Sequence, residues 1–541
     1  MQKVETKKSQ AGWFMLIILC MVQIGTTCDT SILANAMSAL AHAFHASIAQ
    51  IQLANIIYPL VTGALMILGG VLGIRIGWKR LLIIGNLILA LGELVAYFSP
   101  TMVVFTFVAR VLVGIGASLA IPATIGIVMV VYKGQMRAIA FASLAAANGI
   151  ASALGPILGG WIIVAANWRD NYIWLTALFI LLFVLLFFQR NVKIPGRPIK
   201  IDISGSILII IGLSLFTYGL AKVSSWGAFK PLAAPFTIFG LSPSPFFIIA
   251  GILFIWFFSL YESYKERKKQ AVILPQIFIK NKASRSGLYM NALVFIILGG
   301  VMFALITFLQ IVLNYNAIET GLFLLCFAVG ITLFSIGTPV AWPKASPRTI
   351  CRIGIIISAI ACFLIALGLE RTGINIWFLV IGLFISGAGV GLLSSQASNV
   401  IAEAVPEDLA EVSSGVQGAT RNVGNAIGIA LIGLVLIMAL TASVKGTVKH
   451  SNIIPPTAKY RVSIVKDVPF MSTPQLEASL KKLNTPTKLA ENYVKINLRS
   501  RVVAIRTTLL VLAIIILFGL FGTKGLPNRK GPTVKAPGSD L

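Results

Sequence analysis

Four charged residues lie inside long apolar stretches of this 541-residue sequence: Asp29, Glu93, Arg110 and Arg421. An ionised side chain inside a membrane is costly, so each of them indicates a functional site by default. Asp29 is the strongest candidate, because residues 26–31 supply four hydroxyl-bearing neighbours. A carboxylate in such a hydrated helix turn is able to bind and release a proton or a cation. We therefore predict that Asp29 takes part in proton coupling or cation binding.

Glu93 and Arg110 have a second explanation, because they fall at similar depths on neighbouring spans. At 1.5 Å per residue, Asp29, Glu93 and Arg110 lie roughly 12, 10 and 14 Å from the same end of their spans. A structural ion pair between Glu93 and Arg110 is as consistent with this spacing as a coupling role for both residues.

A second pattern combines small residues with proline in one apolar stretch. It consists of Gly149, Gly155, Pro156, Gly159 and Gly160. Small residues permit close approach of helices, and proline frees a carbonyl and permits bending. The pattern indicates either a functional helix bend or ordinary tight packing.

Motifs of enzymatic chemistry are absent from the sequence. It contains no Walker A, GxSxG or HExxH pattern, so nothing indicates ATP hydrolysis or acyl transfer. His42 and His45 lack a third ligand for a metal ion. The five cysteines form no CxxC motif and lie in or beside apolar segments, which is typical of packing residues. We expect no enzymatic activity, no metal and no cofactor.

The elements that position these residues are membrane-spanning helices. Hydrophobic residues make up 57% of the chain and charged residues only 11%, too few charges to cover a soluble protein of this length. Long apolar runs without two-residue alternation indicate helices rather than barrel strands. Fourteen such runs are present, at residues 12–37, 51–74, 81–99, 101–131, 137–166, 171–189, 202–221, 244–262, 286–312, 317–340, 350–369, 374–400, 412–440 and 501–523. The predicted fold class is an all-α polytopic membrane protein.

The formal net charge of +27 follows the topology of the chain. With the N-terminus in the cytoplasm, cytoplasmic segments hold 26 of the 44 Lys and Arg residues and short outer loops hold 4; a long outer segment together with the start of the last span holds 12, and two lie within other spans. This asymmetry predicts cytoplasmic N- and C-termini and no nucleic-acid partner. One cytoplasmic loop is acidic instead and is either simply solvated or docks against basic loops; its residues are Glu403, Glu407, Asp408 and Glu411.

An internal repeat indicates two related halves. Gly428 in span thirteen aligns with Gly155 in span five, and in the same register Arg421 falls opposite Asn148. Repeated six-helix blocks around a central site are typical of transporters. The predicted organisation is six plus two plus six spans, with boundaries at residues 1–198, 199–284 and 285–541. The last part includes a long outer loop at about 441–500, with a short helix from Thr473 that serves as a lid or as a passive spacer.

Together these residues resemble the fourteen-helix drug:H+ antiporters of the major facilitator superfamily, over nearly the whole chain. The resemblance is carried by the acidic motif around Asp29, by Arg110, Gly114 and Gly116 in span four, by the glycine and proline motif of span five, and by Arg421 and Gly428 in span thirteen. It implies the major facilitator fold and a part in proton coupling for Arg110. It also implies a central cavity, for which Thr30, Tyr58 and Asn148 are candidate lining residues.

The loop after span two resembles the family motif in part. Its matching residues are Gly70, Gly73, Arg75, Gly77, Lys79 and Arg80. Ile74 stands where the family has an aspartate that latches the inner gate. Conformational switching must therefore be biased by other contacts in this chain.

The resemblance implies an exporter of amphipathic, and we expect cationic, drugs or toxic compounds, driven by a proton gradient across a bacterial inner membrane. The expected partners are the lipid bilayer, a small amphipathic substrate and protons, and we expect a monomer. Two alternatives stay open: a dedicated exporter of one metabolite or siderophore with the same fold, and a transport-inactive receptor or partner protein, which the residue at Ile74 suggests.

Overall fold

The structure is a computed structural model, and it shows a bundle of long helices. It describes residues 2–46, 48–189, 202–229, 231, 234–369, 375–406, 412–451, 454–464, 468, 473–482 and 485–528. Apart from an isolated bridge between Ile238 and Leu241, the regular elements of this part of the chain are helices. Two sequence-based predictions fall outside it: the boundary at residues 198–199 and the acidic residues Glu407, Asp408 and Glu411.

Fourteen of the described helices are long and apolar enough to cross a membrane, which confirms the predicted fold class. We number them α1 (Gln2–Asn35), α2 (Ile48–Ile76), α3 (Trp78–Phe98), α4 (Arg110–Val131), α5 (Gly134–Ala165), α6 (Asp170–Phe188), α7 (Ile203–Trp226), α8 (Ser244–Arg267), α9 (Lys282–Ile306), α10 (Ala317–Ala341), α11 (Pro347–Gly368), α12 (Ile376–Glu403), α13 (Ser413–His450) and α14 (Thr487–Gly522). Because the number of crossings is even, α1 begins and α14 ends at the same end of the bundle. We call this the terminal end and the other the opposite end.

The hydrophobic core of the described residues falls into separate clusters. One large cluster comes mainly from α1–α6 and another mainly from α9–α14. A smaller cluster joins Ile209 of α7 and Phe258 of α8 to Ile67 of α2 and Ala419 of α13. The inserted helices α7 and α8 therefore pack where the two halves meet.

Glycines of α4 set the helix spacing inside the first half. A Cβ atom on Gly116 would lie 2.7 Å from the backbone nitrogen of Leu89 in α3. A Cβ atom on Gly114 would lie 2.8 Å from Cβ of Val61 in α2. Real Cβ atoms do not approach other atoms this closely, so both positions need a residue without a side chain for α4 to pack tightly between its neighbours.

The segment between the last two spans is largely helical, which changes the prediction of a long loop. α13 continues to His450 and α14 begins at Thr487, so both helices extend beyond the apolar runs. Shorter helices lie between them at Pro456–Ile464 and at Thr473–Lys482, the latter close to the predicted start. The proline that follows Thr473 in the sequence falls in the first turn of this helix, where proline is well tolerated.

Candidate functional site

Asp29 and Arg110 form a buried ion pair in the first half. The Arg110 Nη1 and Nη2 atoms each donate to one carboxylate oxygen of Asp29, and both distances are 2.7 Å. Both side chains are almost completely inaccessible to solvent. A bidentate arginine–carboxylate contact is among the strongest charge-assisted interactions, and it fixes the relative position of α1 and α4.

Glu93 is buried beside this pair, and of the residues considered from the sequence it is Asp29 that pairs with Arg110. Neither carboxyl oxygen of Glu93 has a hydrogen-bond partner. Glu93 still interacts electrostatically with Asp29 and Arg110. The sequence placed all three residues at one depth, but depth alone does not give the direction in which each helix faces. Helix rotation decides the partner, and it turns Arg110 toward α1.

A π-helical turn at Phe105–Ala109 directly precedes Arg110. Such a turn inserts an extra residue into the helix and changes the direction of the side chains that follow, often at functional sites. The guanidinium of Arg110 also lies over the ring of Tyr58, 5.1 Å from the ring centroid. Tyr58 in turn lines the central cavity, so the residue that stacks on Arg110 also borders the cavity.

α1 packs closely against α5 through the predicted glycine motif. A Cβ atom on Gly155 would lie 2.6 Å from Cβ of Ser31, and one on Gly159 would lie 2.9 Å from Cγ1 of Ile32. Gly160 is buried in the same helix. The helix that carries Asp29 therefore has direct contact with α5 within a turn of the ion pair.

A central cavity of about 1000 Å³ lies between the two halves. Polar side chains of α1, α2 and α5 form one wall, among them the predicted lining residues Thr30, Tyr58 and Asn148. Pro156 of the α5 motif lines the cavity as well. Apolar residues of α9 form much of the facing wall; they include Phe295, Leu298, Met302, Phe303 and Ile306. The cavity wall is therefore largely polar where α1, α2 and α5 form it and largely apolar where α9 forms it.

The cavity extends toward the opposite end of the bundle. Thr320 in the first turn of α10 and Ser225 near the end of α7 line it there. Val468, from the segment between α13 and α14, reaches the cavity as well, and its backbone N–H donates to Thr441 Oγ1 at 2.9 Å. One described residue of that segment therefore contributes to the cavity wall.

Asn148 and Arg421, which align in the internal repeat, are both found at the central cavity. Asn148 Oδ1 accepts a hydrogen bond of 2.8 Å from Thr27 Oγ1. The glycines that align with each other also pack alike: Gly155 contacts α1, and a Cβ atom on Gly428 would lie 2.5 Å from the carbonyl oxygen of Ile296 in α9. Each glycine thus joins the fifth helix of its half to the first.

At the terminal end, α2 meets α13 without intervening side chains. A Cβ atom on Gly70 would lie 2.8 Å from both N and Cα of Gly415. Within the same seam a Cβ atom on Gly418 would lie 2.3 Å from the sulfur of Met66. The two halves are in backbone contact here, so the cavity is closed toward the terminal end.

An ionic contact between the halves lies at the same end. Arg137 Nη2 is 3.6 Å from Glu403 Oε1, and Arg137 Nε donates to Asn399 Oδ1 at 3.3 Å. Arg137 is in the first turn of α5, and Glu403 is the last residue of α12. Of the two interpretations of the acidic loop, docking against a basic residue therefore holds for Glu403.

The motif after span two builds the turn between α2 and α3. Gly77 has a φ of 94°, which only glycine adopts without strain. A Cβ atom on Gly73 would fall on the ring of Trp78, 2.1 Å from its nearest atom. Lys79 Nζ donates to the carbonyl oxygen of Gln189, while Arg75 and Arg80 are exposed. Ile74 is buried in the core of the first half, so it supports packing rather than a charge contact.

α5 and α10 form a second seam between the halves, along most of their length. Ser335 Oγ donates to the carbonyl oxygen of Ala142 at 3.2 Å near the terminal end. A Cβ atom on Gly149 would lie 3.1 Å from Ile331 in the middle, and one on Gly321 would lie 2.3 Å from Ile157 near the opposite end. The glycine motif of α5 thus contacts the first half through Gly155 and the second half through Gly149.

Two functional features were missed by the sequence reasoning. Arg501 in α14 is fully buried, and its Nη1 atom donates to Thr473 Oγ1 at 3.0 Å. Arg501 is the first residue of the last apolar run, so its charge was assigned to the outer segment and not to a membrane span. A second π-helical turn, Thr307–Val312, follows α9 and places Gln310 on the cavity wall. Nothing in the local sequence marks such a turn. Among the described residues no group of three His, Cys, Asp or Glu side chains is placed to hold a metal ion.

Fourteen helices long and apolar enough to cross a membrane, with a central cavity between α1–α6 and α9–α14, define a polytopic membrane protein of the transporter type. The sequence profile of the Major Facilitator Superfamily matches residues 19–242 and 202–429. The chain therefore belongs to the major facilitator superfamily. This is a family of transporters and not of enzymes, which agrees with the prediction from the missing catalytic motifs.

Several bacterial relatives of this chain carry names of export or resistance. It is 27% identical to the methyl viologen resistance protein SmvA of Salmonella typhimurium (strain LT2), over 80% of this chain and 84% of that protein. It is 25% identical to the multidrug efflux pump LfrA of Mycolicibacterium smegmatis, over 80% and 82%. An uncharacterized transporter of this superfamily, YhcA of Bacillus subtilis, is 24% identical over 66% of this chain and 64% of its own length.

Solved structures show the same fold at low sequence identity. The crystal structure of the human organic anion transporter MFSD10 (TETRAN) matches with a TM-score of 0.56 at 10% identity, and the match covers 95% of this chain and 99% of that one. A proton-dependent oligopeptide transporter matches with a TM-score of 0.55 at 12% identity, over 94% and 97%. At such identities the likeness concerns the fold alone.

Proposed function

We propose that this protein is a secondary active exporter that moves amphipathic compounds out of a bacterial cell in exchange for protons. The observation that carries the proposal is the buried Asp29–Arg110 pair beside the central cavity. The names of relatives, a methyl viologen resistance protein and a multidrug efflux pump among them, support export of toxic compounds. The excess of basic residues near the terminal end supports a cytoplasmic location for both termini in the bacterial inner membrane.

Proton coupling follows from the chemistry of the pair. A proton that binds Asp29 removes the negative charge that holds Arg110, so the contact between α1 and α4 weakens. α1 also contacts α5 through Ser31 and Gly155. α5 is the helix that packs along α10 of the second half, so a shift of α1 has a physical route to the seam between the halves.

Glu93 has a place in the same step. It is buried, and its oxygens lack hydrogen-bond partners. A carboxylate anion in such surroundings is unfavourable, whereas the neutral acid is tolerated. Glu93 is therefore suited to hold a proton close to Asp29 while Asp29 is paired with Arg110.

The cycle requires two conformations that expose the cavity on alternate sides. In the present one the α2–α13 seam is closed at the terminal end and the cavity extends to the opposite end. Opening the terminal end requires that Gly70 separate from Gly415 and that Arg137 release Glu403. The Arg137–Glu403 contact stabilises the conformation that is closed at the terminal end. The family resemblance assigns this role to the aspartate that is replaced here by Ile74.

The expected positive charge of the cargo has less support than the proton coupling. In that hypothesis Asp29 alternately holds a proton and a cationic substrate. Asp29 is fully buried, and both of its oxygens accept hydrogen bonds from Arg110. It does not belong to the cavity wall. A cation reaches this carboxylate only after the ion pair has opened.

Reconstitution in proteoliposomes tests the exchange. A panel of amphipathic dyes of both charges is loaded, a pH gradient is imposed, and dye movement and proton release are recorded together. We expect wild-type protein to move at least one dye with the gradient and Asp29→Asn, reconstituted only from the fraction that elutes as a folded species, to lose this movement. Asp170→Asn is the matched control, because Asp170 lies in the first turn of α6, away from the cavity.

The outcomes separate the open alternatives. Equal gradient-driven transport by wild type and Asp29→Asn refutes coupling through Asp29. Transport of one compound class only, with all other dyes excluded, supports the dedicated exporter. An absence of dye movement and of proton release across the panel supports the transport-inactive receptor.

A further inference from the structure

The electrostatic character of the central cavity is set by one residue. Among the described residues that line it, Arg421 is the only side chain that is charged at neutral pH. The remaining polar groups are hydroxyls and amides, with Asn422 and Asn425 on the same helix as Arg421. Asp29 and Arg110 are near the cavity but do not line it, and their charges compensate each other. The described wall of the cavity therefore carries a net positive charge.

The charge of Arg421 has no counter-ion among the residues that the structure describes. Its side chain makes no ion pair or hydrogen bond with another described residue, and its Nε atom is buried without a partner. The guanidinium lies over the ring of Phe295, 5.3 Å from the centroid. An unpaired charge within a membrane protein is expensive. Arg110 shows how this chain satisfies such a group when the role is structural, namely with a carboxylate on the neighbouring helix.

The surroundings of Arg421 combine a cation, amides and an apolar wall. Phe295, Leu298 and Phe303 face the cavity from α9. Asn148 lies across from Arg421 at the inner end of the same cavity. A guanidinium presents a planar set of donors that matches the oxygens of a carboxylate or sulfonate, and it stacks on aromatic faces. The site therefore fits a ligand with an aromatic body and an anionic head.

We infer that the cargo of this cavity is an amphipathic organic anion, with its acidic group held by Arg421 and its aromatic part against the α9 wall. The inference rests on the proposed exporter function and replaces the expected cationic cargo. A cation in the same place meets Arg421 without a carboxylate to oppose it, so like-charge repulsion disfavours it.

Binding to purified full-length protein in neutral-lipid nanodiscs tests the substrate class without any need for transport. The probes are naphthalene-2-sulfonate and (2-naphthyl)trimethylammonium, which share the aromatic body and differ in the sign of the head group. Equilibrium dialysis against empty nanodiscs removes the contribution of the lipid. We expect wild-type protein to bind the sulfonate at least about tenfold more tightly than the ammonium compound, as one charge-assisted contact provides.

Substitutions at Arg421 assign the preference to this residue. Arg421→Gln is expected to weaken sulfonate binding about tenfold and to strengthen ammonium binding, because the like-charge repulsion is removed. Arg421→Lys keeps the positive charge, so the sulfonate is still expected to bind more tightly than the ammonium compound. Lysine lacks the planar donor set of arginine. Arg421→Glu is expected to reverse the order. Asn422→Ala is the control on the same wall, and it is expected to change both probes alike.

Two results overturn the inference: tighter binding of the ammonium probe by wild-type protein, or unchanged sulfonate binding by an Arg421→Gln variant that elutes as a folded species. These results are independent of the exporter proposal. Sulfonate binding through Arg421 without gradient-driven transport refutes only the exporter function. Gradient-driven transport of cations that does not depend on Arg421 refutes only the anion inference.

Discussion

Arg110 and Asp29 neutralise each other's charge inside the first half of the molecule. Both guanidinium ends contact the carboxylate at 2.7 Å, and neither side chain is accessible to water. The removal of one partner from a buried pair leaves an uncompensated charge, which is more damaging than the removal of both. Glu93, only a short distance away, has no such partner to lose.

Asp29→Asn is predicted to destabilise the protein strongly, because it leaves Arg110 buried without a counter-ion. The expected loss of unfolding free energy is about 3–5 kcal/mol. Thermal unfolding of the purified variant in detergent measures it. The double variant Asp29→Asn/Arg110→Gln is expected to recover part of this stability, and a double variant less stable than the single one contradicts the argument.

Glu93→Gln is predicted to retain nearly all of the stability, although it changes an equally buried carboxyl group. No hydrogen bond of Glu93 is lost, and glutamine has almost the same shape, so the expected change is below about 1 kcal/mol. Proton-coupled transport is expected to fall if Glu93 holds a proton. A Glu93→Gln protein as unstable as Asp29→Asn would show that Glu93 is ionised and structurally paired.

At the scale of elements, glycines decide which helices touch. Gly155 and Gly159 bring α5 against α1, and Gly149 brings the same helix against α10. One helix therefore contacts both the element that carries Asp29 and the other half of the molecule. The position of α5 follows from small residues on two of its faces.

Gly155→Ala is predicted to lower stability by about 1–3 kcal/mol, because the added methyl group overlaps Ser31 on α1. Gly337→Ala in α10 is the matched control. Nothing lies within 4 Å of a Cβ atom at Gly337, so alanine there is expected to be neutral or slightly stabilising through its better helix propensity. Thermal unfolding compares the two variants, and equal effects would show that the α1–α5 contact is looser than described.

At the scale of the whole molecule, two seams join the halves in different ways. The α5–α10 seam is close at both ends and in the middle. The α2–α13 seam is in backbone contact near the terminal end, with the Arg137–Glu403 contact beside it. A rocking motion that keeps the first seam and opens the second exposes the cavity on the terminal side.

Gly70→Val is predicted to shift the molecule toward the conformation that is open at the terminal end. The added side chain overlaps Gly415, and an overlap that costs about 2 kcal/mol changes the ratio of the two conformations by about 30-fold. Spin labels at the exposed positions Arg80 and Lys344 report the separation of the halves. Electron–electron resonance distances are expected to lengthen, and an unchanged distribution refutes the role of this contact as a gate.

The sequence by itself determined the fold class, because twenty-residue apolar runs have no other stable form in a bilayer. It also located Asp29, Arg110 and Arg421, because charges inside such runs are rare and costly. Periodic glycines revealed the relation between Gly155 and Gly428, since close packing of a repeated helix pair needs a small residue at the same place in each half.

Only the tertiary structure decided the partners and the surfaces of these residues. The rotation of α4, with a π-helical turn before Arg110, directs its guanidinium to Asp29 and away from Glu93. The same arrangement keeps Asp29 away from the cavity wall. Arg421 is therefore the only charged side chain among the described residues that line the cavity. Depth along a helix can be counted from the chain, but the direction of a side chain depends on contacts between helices far apart in sequence. The charge that a cargo meets is therefore a property of the folded bundle.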